Sequence, residues 1–268
     1  MHPLYAIFLG VVQGITEFLP ISSSGHLALL EHYFQAPGAG LTFDILLHLG
    51  TVAALLTYFR REWLAMAQAV WRPSPYTRLD RRLFICILAA SVPGALAGVF
   101  LEHQAETVFR LPWRIALLLG SVGLLLILAE RLARHDRPLT NLHLGDALLI
   151  GLSQALAIMP GVSRSGITMT CALFLGFTRE AAARFSFLLA TPIIAGAGLF
   201  HLRKLFSAPP ENLSVTAGLL GFLAALLSSY AAIRFLLRFL RRHTFLPFAL
   251  YRLLLAAVVL ALTLLRVG

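Results

Sequence analysis

Long apolar runs, separated by short polar segments that carry arginine, make up most of this chain. Six of the runs approach or exceed the ~20 residues that a helix needs to cross a bilayer. They cover residues 42–59, 83–101, 113–132, 184–201, 214–240 and 245–265. Because apolar residues are continuous within each run and do not alternate with polar ones, the pattern favours helices over strands. The chain is therefore predicted to be all-α, with six transmembrane helices.

Two further regions, residues 3–35 and 145–178, are also apolar but are interrupted midway by proline and serine. In the first region, Leu19-Pro20 ends one helix and the serines at 22–24 begin another as N-cap residues. Irregular backbone at membrane depth is tolerated only where protein or a water-filled cavity surrounds it. We therefore expect two re-entrant helix–break–helix hairpins, which enter the membrane and leave it on the same side.

Composition indicates a polytopic membrane protein built as one membrane domain, residues 1–268. The chain is 59% hydrophobic and only 13% charged, and no soluble domain of this size needs so much apolar surface. Its net charge of +10 comes from 21 Arg and one Lys, which cluster at the ends of the apolar runs. This distribution indicates loop charges and argues against a nucleic-acid partner.

The distribution of arginine also predicts the orientation in the membrane. Residues 60–82, 131–137 and 234–252 carry six, three and five arginines, whereas the alternating segments carry fewer basic residues. Under the positive-inside rule these three segments face the cytoplasm, and both termini lie outside. This assignment requires that neither of the two hairpins crosses the membrane.

An internal repeat relates the two broken regions at an offset of 141 residues. Six identities connect them: Ala6, Gly10, Gln13, Ser22, Ser24 and Gly25 match Ala147, Gly151, Gln154, Ser163, Ser165 and Gly166. Each half, approximately residues 1–135 and 136–268, would contain one hairpin and three spans. An odd number of crossings makes the second half inverted, so the hairpin tips would meet near the midplane, as in many transporters.

The first break gathers polar side chains that are costly at membrane depth. They are Gln13 and Glu17, which share one helix face, and then Ser22, Ser23, Ser24 and His26. A single N-cap needs only one hydroxyl, so capping alone does not account for three consecutive serines. The cluster therefore indicates a functional site.

The second break carries Arg164, flanked by Ser163 and Ser165 and followed by Thr168. A guanidinium at the helix centre costs roughly 2.5–3.5 kcal/mol, so we expect it to have a binding partner. Arginine suits phosphate or carboxylate, and a helix that begins here would add free N–H groups. Two such helix starts and Arg164 predict an anion site. The alternative is structural: Arg164 only pairs with Glu17, the serines cap helices, and Thr168 bonds to its own helix.

Together these residues suit phosphoryl chemistry on a substrate with a lipid tail. Arg164 and backbone N–H groups would stabilise charge on the phosphorus, and Glu17, with Gln13, could hold a divalent metal. A serine or His26 could attack phosphorus, or His26 could activate water. The alternative, suggested by the inverted repeat, is a transporter or flippase for a phosphorylated lipid or anion.

Residues 10–26 and 160–168 resemble the two signature motifs of the undecaprenyl-diphosphatase family, also called UppP or BacA. The resemblance covers essentially the whole chain, including residues 185–192 and 245–252. It implies hydrolysis of undecaprenyl diphosphate to undecaprenyl phosphate and inorganic phosphate, which recycles the lipid carrier of peptidoglycan synthesis. It also implies a divalent cation (Mg²⁺ or Ca²⁺), a bacterial plasma-membrane location, bacitracin resistance and a homodimer.

Position by position, the resemblance assigns Glu17 to metal binding and catalysis, Ser23 as the nucleophile, His26 as the essential histidine and Arg164 to diphosphate binding. The expected substrate-binding hydroxyls are those of Ser22, Ser24, Ser163, Ser165 and Thr168. Gln13 departs from the family, because many members have a glutamate there. Its amide oxygen can bind a metal but brings no negative charge, which leaves Glu17 as the principal acidic ligand. The charge distribution predicts a site open to the outside.

Overall fold

The computed structural model describes residues 1–34, 40–207 and 214–267. Apart from one isolated bridge between Arg137 and Phe177, the regular secondary structure of these residues is helical. The α-helices are α1 Pro3–Phe18, α2 Ser23–Phe34, α3 Gly40–Tyr58, α4 Arg60–Trp71, α5 Arg78–Phe109, α6 Pro112–Leu132, α7 Leu144–Ala155, α8 Arg164–Phe174, α9 Arg179–Ser207, α10 Val215–Phe239 and α11 Leu246–Val267. The prediction of an all-α chain is confirmed.

Five described helices, α5, α6, α9, α10 and α11, are long and apolar enough to cross a membrane. A sixth crossing is added if α3 and α4, which bend by 73° at their junction, count as one span. The predicted run at 42–59 corresponds to α3, and the other five predicted runs correspond to the five long helices. The chain is therefore a multi-pass membrane protein.

Helix α4 occupies part of the arginine-rich connection that the sequence pattern placed at residues 60–82. It begins directly after Phe59, buries Met66 and Ala69 on one side, and leaves Trp71 85% exposed. A helix with one apolar face and low overall hydrophobicity is typical of the membrane interface. The corresponding connection in the second half, predicted at 201–213, lies outside the described residues from 208 onward.

Both broken regions have the predicted helix–break–helix form. In the first, α1 ends at Phe18, and Leu19, which precedes a proline, is extended, as the clash with the proline ring requires. In the second, a short 3₁₀ turn at Leu156–Ile158 follows α7, and α8 begins at Arg164. Each region thus has four or more residues of irregular backbone between two short helices.

The most extensive helix contacts join the two halves to each other. The first hairpin helix, α1, lies along α10, whereas α7 lies along α5; α6 also packs on α11, and α3 on α9. Glycines allow the two hairpin contacts. A Cβ on Gly10 would lie 2.5 Å from the Gly221 carbonyl oxygen, and one on Gly151 would overlap the Ala90 carbonyl.

The end of α1 is anchored in the main hydrophobic core. Phe18 is fully buried and meets Phe187 of α9 edge to face, with ring centroids 5.3 Å apart. Phe59, at the bend between α3 and α4, lies against the same ring. Because Glu17 directly precedes Phe18, this packing fixes the position of the carboxylate next to the first break.

Candidate active site

The two breaks end in matching serine N-caps. Ser22 Oγ accepts a hydrogen bond from the Gly25 backbone N–H at 3.3 Å, and Ser163 Oγ accepts one from Gly166 at 3.0 Å. Each capping hydroxyl also lies near the hydroxyl of the serine two residues later. The Oγ–Oγ distance is 3.4 Å from Ser22 to Ser24 and 3.2 Å from Ser163 to Ser165. These caps are the arrangement expected for serine at a helix start.

Both capping serines have an unusual backbone. Their φ angles are +76° at Ser22 and +72° at Ser163, whereas an N-cap residue normally lies in the extended region. A non-glycine residue in such a conformation costs on the order of 1–3 kcal/mol, and such strain clusters at functional sites. The two positions are also the pair that the 141-residue offset matched.

Glu17 is the centre of the polar cluster and connects the two breaks. Its Oε2 accepts hydrogen bonds from Ser23 Oγ at 2.5 Å and from Gln13 Nε2 at 3.0 Å. Its Oε1 accepts one from the Arg164 guanidinium at 2.5 Å. Both side chains of this ion pair are largely buried, with 8% of Glu17 and 13% of Arg164 exposed.

Arg164 keeps donors for a further ligand. Besides the bond to Glu17, it donates to the Ala190 carbonyl at 3.3 Å. A guanidinium has five N–H donors, and no other bond from this one is found among the described residues. The ion pair that was the structural alternative is present, and it leaves part of the arginine available to an anion.

The amide of Gln13 leaves one buried oxygen without a partner. Because its NH₂ group donates to Glu17, Oε1 points away from the carboxylate and, among the described residues, accepts no hydrogen bond. Gln13 is fully buried. Such an oxygen is an acceptor for a water or a metal ion. Within the described part of the chain, no three His, Cys, Asp or Glu side chains gather around one point.

His26 is held at both ring nitrogens, although not by Glu17 or Ser23. Nδ1 lies 2.7 Å from the Ser22 carbonyl oxygen, and Nε2 lies 2.7 Å from the hydroxyl of Tyr251. Since a carbonyl only accepts, Nδ1 carries the hydrogen of the neutral ring, and Nε2 accepts from the Tyr251 O–H. His26 therefore presents Nε2 as its basic nitrogen.

Arg252, the residue after Tyr251, forms hydrogen bonds with the backbone of both breaks. Its guanidinium donates to the carbonyl of Pro20 at 3.0 Å and to those of Gly161 and Val162 at 2.8 and 3.0 Å. The side chain is completely buried in α11. The expectation that Arg252 is one of the cytoplasmic loop charges of 234–252 is wrong. It is buried because irregular backbone leaves carbonyls that a guanidinium can satisfy.

Comparison with known proteins places the whole chain in one family. The family model described as Bacitracin resistance protein BacA matches residues 6–258. The chain belongs to the BacA family. The undecaprenyl-diphosphatase of Moorella thermoacetica is 50% identical over 99% of this chain and 100% of its own length. That of Desulforudis audaxviator is 47% identical over the same shares, and that of Geobacter sulfurreducens is 45% identical over 97% and 98%.

In this BacA-family chain the remaining predicted site residues have different surroundings. Ser165 Oγ donates to the Leu19 carbonyl at 3.1 Å, which ties the second break to the first. Thr168 Oγ1 contacts the Arg164 carbonyl and the Ser186 hydroxyl, both at 2.7 Å. Thr168 thus bonds to its own helix, while Ser24 is exposed. Substrate binding by these three hydroxyls stays a prediction.

Tyr251 and Arg252 are the two residues of the site that sequence reasoning missed. They lie 225 or more residues from the groups they contact in the first hairpin. The available signal was their membership in the motif at 245–252, which carried the family resemblance. The pattern of polar residues within each hairpin could not reveal them, because α11 otherwise has the composition of a membrane span.

Proposed function

We propose that this chain hydrolyses undecaprenyl diphosphate to undecaprenyl phosphate and inorganic phosphate. Relatives that match it over nearly their full length are undecaprenyl-diphosphatases. The observation that carries the proposal is the contact of Glu17 with both Ser23 and Arg164. In this proposal Ser23 is the nucleophile, Glu17 is the base and Arg164 binds the anion, at the point where two helices begin.

The diphosphate would bind across the two helix starts. The first turns of α2 and α8 offer backbone N–H groups and the positive ends of two helix dipoles. Arg164 would bind the anion through the guanidinium N–H groups that Glu17 and Ala190 leave available. A bound diphosphate would compete with Glu17 for Arg164, and Glu17 would then hold the Ser23 proton more strongly.

Ser23 is the proposed nucleophile and Glu17 the proposed base. The 2.5 Å contact between them and the bonds that orient the carboxylate from Gln13 and Arg164 match the arrangement of an activated nucleophile. As Ser23 Oγ bonds to the terminal phosphorus, its proton passes to Glu17. The bond from that phosphorus to the bridging oxygen breaks, and undecaprenyl phosphate leaves.

Hydrolysis of the phosphoserine would complete the reaction. Water attacks the phosphorus and gives a proton to the Tyr251 hydroxyl, which passes its own proton to Nε2 of His26. Glu17 returns its proton to Ser23 Oγ as inorganic phosphate departs. Arg164 and the helix N–H groups stabilise the negative charge that develops on the phosphoryl oxygens in both steps.

A divalent cation, Mg²⁺ or Ca²⁺, fits this site only with help from the substrate. Glu17 and Gln13 are the residues that would hold it, with the Gln13 amide turned so that Oε1 instead of the NH₂ group faces the carboxylate. Because Gln13 replaces a second carboxylate, the remaining ligands would be phosphate oxygens and water, as is common for Mg²⁺. When bound, the cation supplies positive charge that neutralises the phosphate oxygens.

The proposed architecture is an inverted repeat of halves at about 1–135 and 136–268. Helix packing supports it, because α1 of the first half packs on α10 of the second, and α7 of the second half packs on α5 of the first. The positive φ angles of the capping residues Ser22 and Ser163 also support it. In this arrangement both hairpins are re-entrant, both termini lie outside the bacterial plasma membrane, and the site opens to that side. A homodimer stays a prediction.

Phosphate release tests the proposal. Purified protein should release phosphate from undecaprenyl diphosphate when Mg²⁺ or Ca²⁺ is present, and a chelator should abolish the release. Arg164→Ala should lose most of the activity, whereas Arg238→Ala, an exposed arginine on α10, should keep it. Full activity in Arg164→Ala would remove that residue from the site. Movement of the substrate across proteoliposomes without phosphate release would favour the transporter alternative instead.

A further inference from the structure

A cavity of about 310 Å³ lies at one end of the helix bundle, between the beginnings of α5 and α7. It is lined by three arginines of α5, namely Arg78, Arg81 and Arg82, and by His143 at the start of α7. Arg82 also donates to the Thr140 carbonyl, which fixes that side chain against the opposite wall. None of these residues belongs to the candidate active site.

The electrostatics of this cavity favour an anion. Arg78, Arg81 and Arg82 occupy the first two turns of α5, where the helix dipole is unfavourable for cations. Asp80 of the same turn offsets one of the three charges, and Asp146 is already paired with Arg137. Asp146 also accepts the His143 backbone N–H at the start of α7, so the positive charge of the cavity comes from the arginines of α5.

The same cavity also has an apolar wall that continues along the membrane-facing surface. Leu79, Ile85 and Leu144 line it, and each is about half exposed, at 52%, 50% and 48%. From there, exposed apolar side chains follow both helices: Leu88, Val92 and Leu96 on α5, and Leu148, Leu149 and Leu152 on α7. A basic head region that opens onto an apolar strip matches a molecule with an anionic head and a hydrocarbon tail.

We propose that this cavity binds an anionic phospholipid, with its phosphate on Arg78 and Arg81 and its acyl chain along α5 and α7. Basic pockets between membrane helices near the cytoplasmic face suit acidic lipid headgroups. The cavity lies at the arginine-rich end of the bundle, which the positive-inside rule assigns to the cytoplasm. The site is separate from the diphosphatase site and does not depend on its mechanism.

Lipid binding to purified protein tests this proposal by native mass spectrometry. Wild-type protein in detergent should retain phosphatidylglycerol in preference to phosphatidylcholine with the same acyl chains. The double variant Arg78→Gln/Arg81→Gln should bind phosphatidylglycerol about 30-fold more weakly, since each arginine near an anionic lipid surface contributes about 1 kcal/mol. Retained phosphate release by the variant would show that it is folded.

A matched variant separates a site from general attraction. Arg234→Gln/Arg238→Gln removes the same charge from two exposed arginines of α10 and should leave phosphatidylglycerol binding unchanged. Equal weakening in both double variants, or none in the cavity variant, would overturn the proposal. Competition with glycerol phosphate tests whether the acyl chain contributes to binding. If it displaces the lipid at comparable concentration, the cavity binds a free phosphate and the acyl chain plays no part, which would also overturn it.

Discussion

Ser23 and Ser24 are adjacent hydroxyls with different surroundings, and this difference makes a residue-level test of the nucleophile. Only Ser23 contacts Glu17, while Ser24 is exposed and lies near Ser22. Ser23→Ala should lower kcat by on the order of 10³-fold or more, because loss of a nucleophile removes the covalent route. Ser24→Ala should lower it by less than about tenfold.

Phosphate-release kinetics of both serine variants provide the measurement. A trapped phosphoserine, identified by mass spectrometry in the peptide that contains Ser23, would add direct support. If Ser23→Ala retains activity while His26→Ala is inactive, the serine is not the nucleophile, and direct attack by His26 or by water that it activates replaces the proposed route.

Tyr251 holds the basic nitrogen of His26 through one hydrogen bond of 2.7 Å. Tyr251→Phe removes only that hydroxyl and should lower kcat by about 10–100-fold with little change in KM, because the proton relay from water to Nε2 is broken. The freed Nε2 should also react faster with diethylpyrocarbonate, measured by mass spectrometry at His26. This second measurement does not depend on turnover.

Tyr33→Phe is the control for that variant. Tyr33 also joins α2 to α11, through a 3.2 Å contact with Thr263, but it lies two helical turns beyond His26. Its loss should change neither kcat nor the reactivity of His26. If both tyrosine variants lose activity equally, Tyr251 serves the α2–α11 contact rather than the imidazole.

The residues of the hairpins were predictable and those of α11 were not, for a physical reason. Glu17, Ser23 and Arg164 stand out because each is polar in an apolar region, where it costs free energy unless it has a partner. Arg252 is also charged, but in the sequence it follows an arginine-rich segment, where an arginine is expected to belong to a loop. Only the fold shows that it meets the carbonyls of both breaks.

At the scale of elements, the two breaks depend on Arg252 to keep their irregular backbone in place. Arg252→Met leaves the carbonyls of Pro20, Gly161 and Val162 without this donor, and each unsatisfied buried group costs about 1–3 kcal/mol. A loss of about 3 kcal/mol corresponds to a fall of roughly 10 °C in apparent Tm. Thermal unfolding in detergent measures it.

Arg238→Met provides the comparison, because this exposed arginine on α10 makes no ion pair among the described residues. Its apparent Tm should stay within about 2 °C of the wild type, as expected for a surface substitution. An unchanged Tm in Arg252→Met would show that water or neighbouring groups satisfy the carbonyls, and that the buried guanidinium does not stabilise the breaks.

Glycine at the hairpin contacts is a second element-level requirement. A Cβ at Gly151 would overlap the Ala90 carbonyl, whereas one at Gly145, on the same helix α7, would meet nothing within 4 Å. Gly151→Ala should therefore separate α7 from α5, lower the Tm and reduce activity. Gly145→Ala should be neutral or stabilising by up to about 1 kcal/mol, because alanine restricts the unfolded chain. Equal stability of the two variants would contradict close packing at Gly151.

The elements themselves were predicted well where the apolar pattern was long. The runs that correspond to the five long helices were found because continuous hydrophobicity of that length is typical of membrane spans and rare elsewhere. Helix α4 was missed because its composition is mixed and it buries apolar side chains on only one face. The repeat identified the two hairpins by their polar breaks. It could not predict that α1 packs on α10 and α7 on α5, because these contacts are visible only in the folded structure.

For the whole molecule, the decisive question is whether the halves are inverted in the membrane. Tyr76 and Val215 lie at equivalent places, just before α5 and at the start of α10, and both are highly exposed, at 96% and 88%. A parallel repeat would put them on the same side. Inverted halves put them on opposite sides, and the positive-inside rule assigns Tyr76 to the cytoplasm and Val215 to the outside.

Single cysteines at these positions test the arrangement in intact cells, in a background with Cys86→Ala and Cys171→Ala. A membrane-impermeant maleimide should label Val215→Cys directly, and should label Tyr76→Cys only after permeabilisation. Labelling of both from outside would contradict the inverted repeat. The reverse pattern would keep the inversion but place the hairpin of Glu17 and Ser23 on the cytoplasmic side. Because the site forms where both hairpins meet, this one result also determines from which side the diphosphate enters.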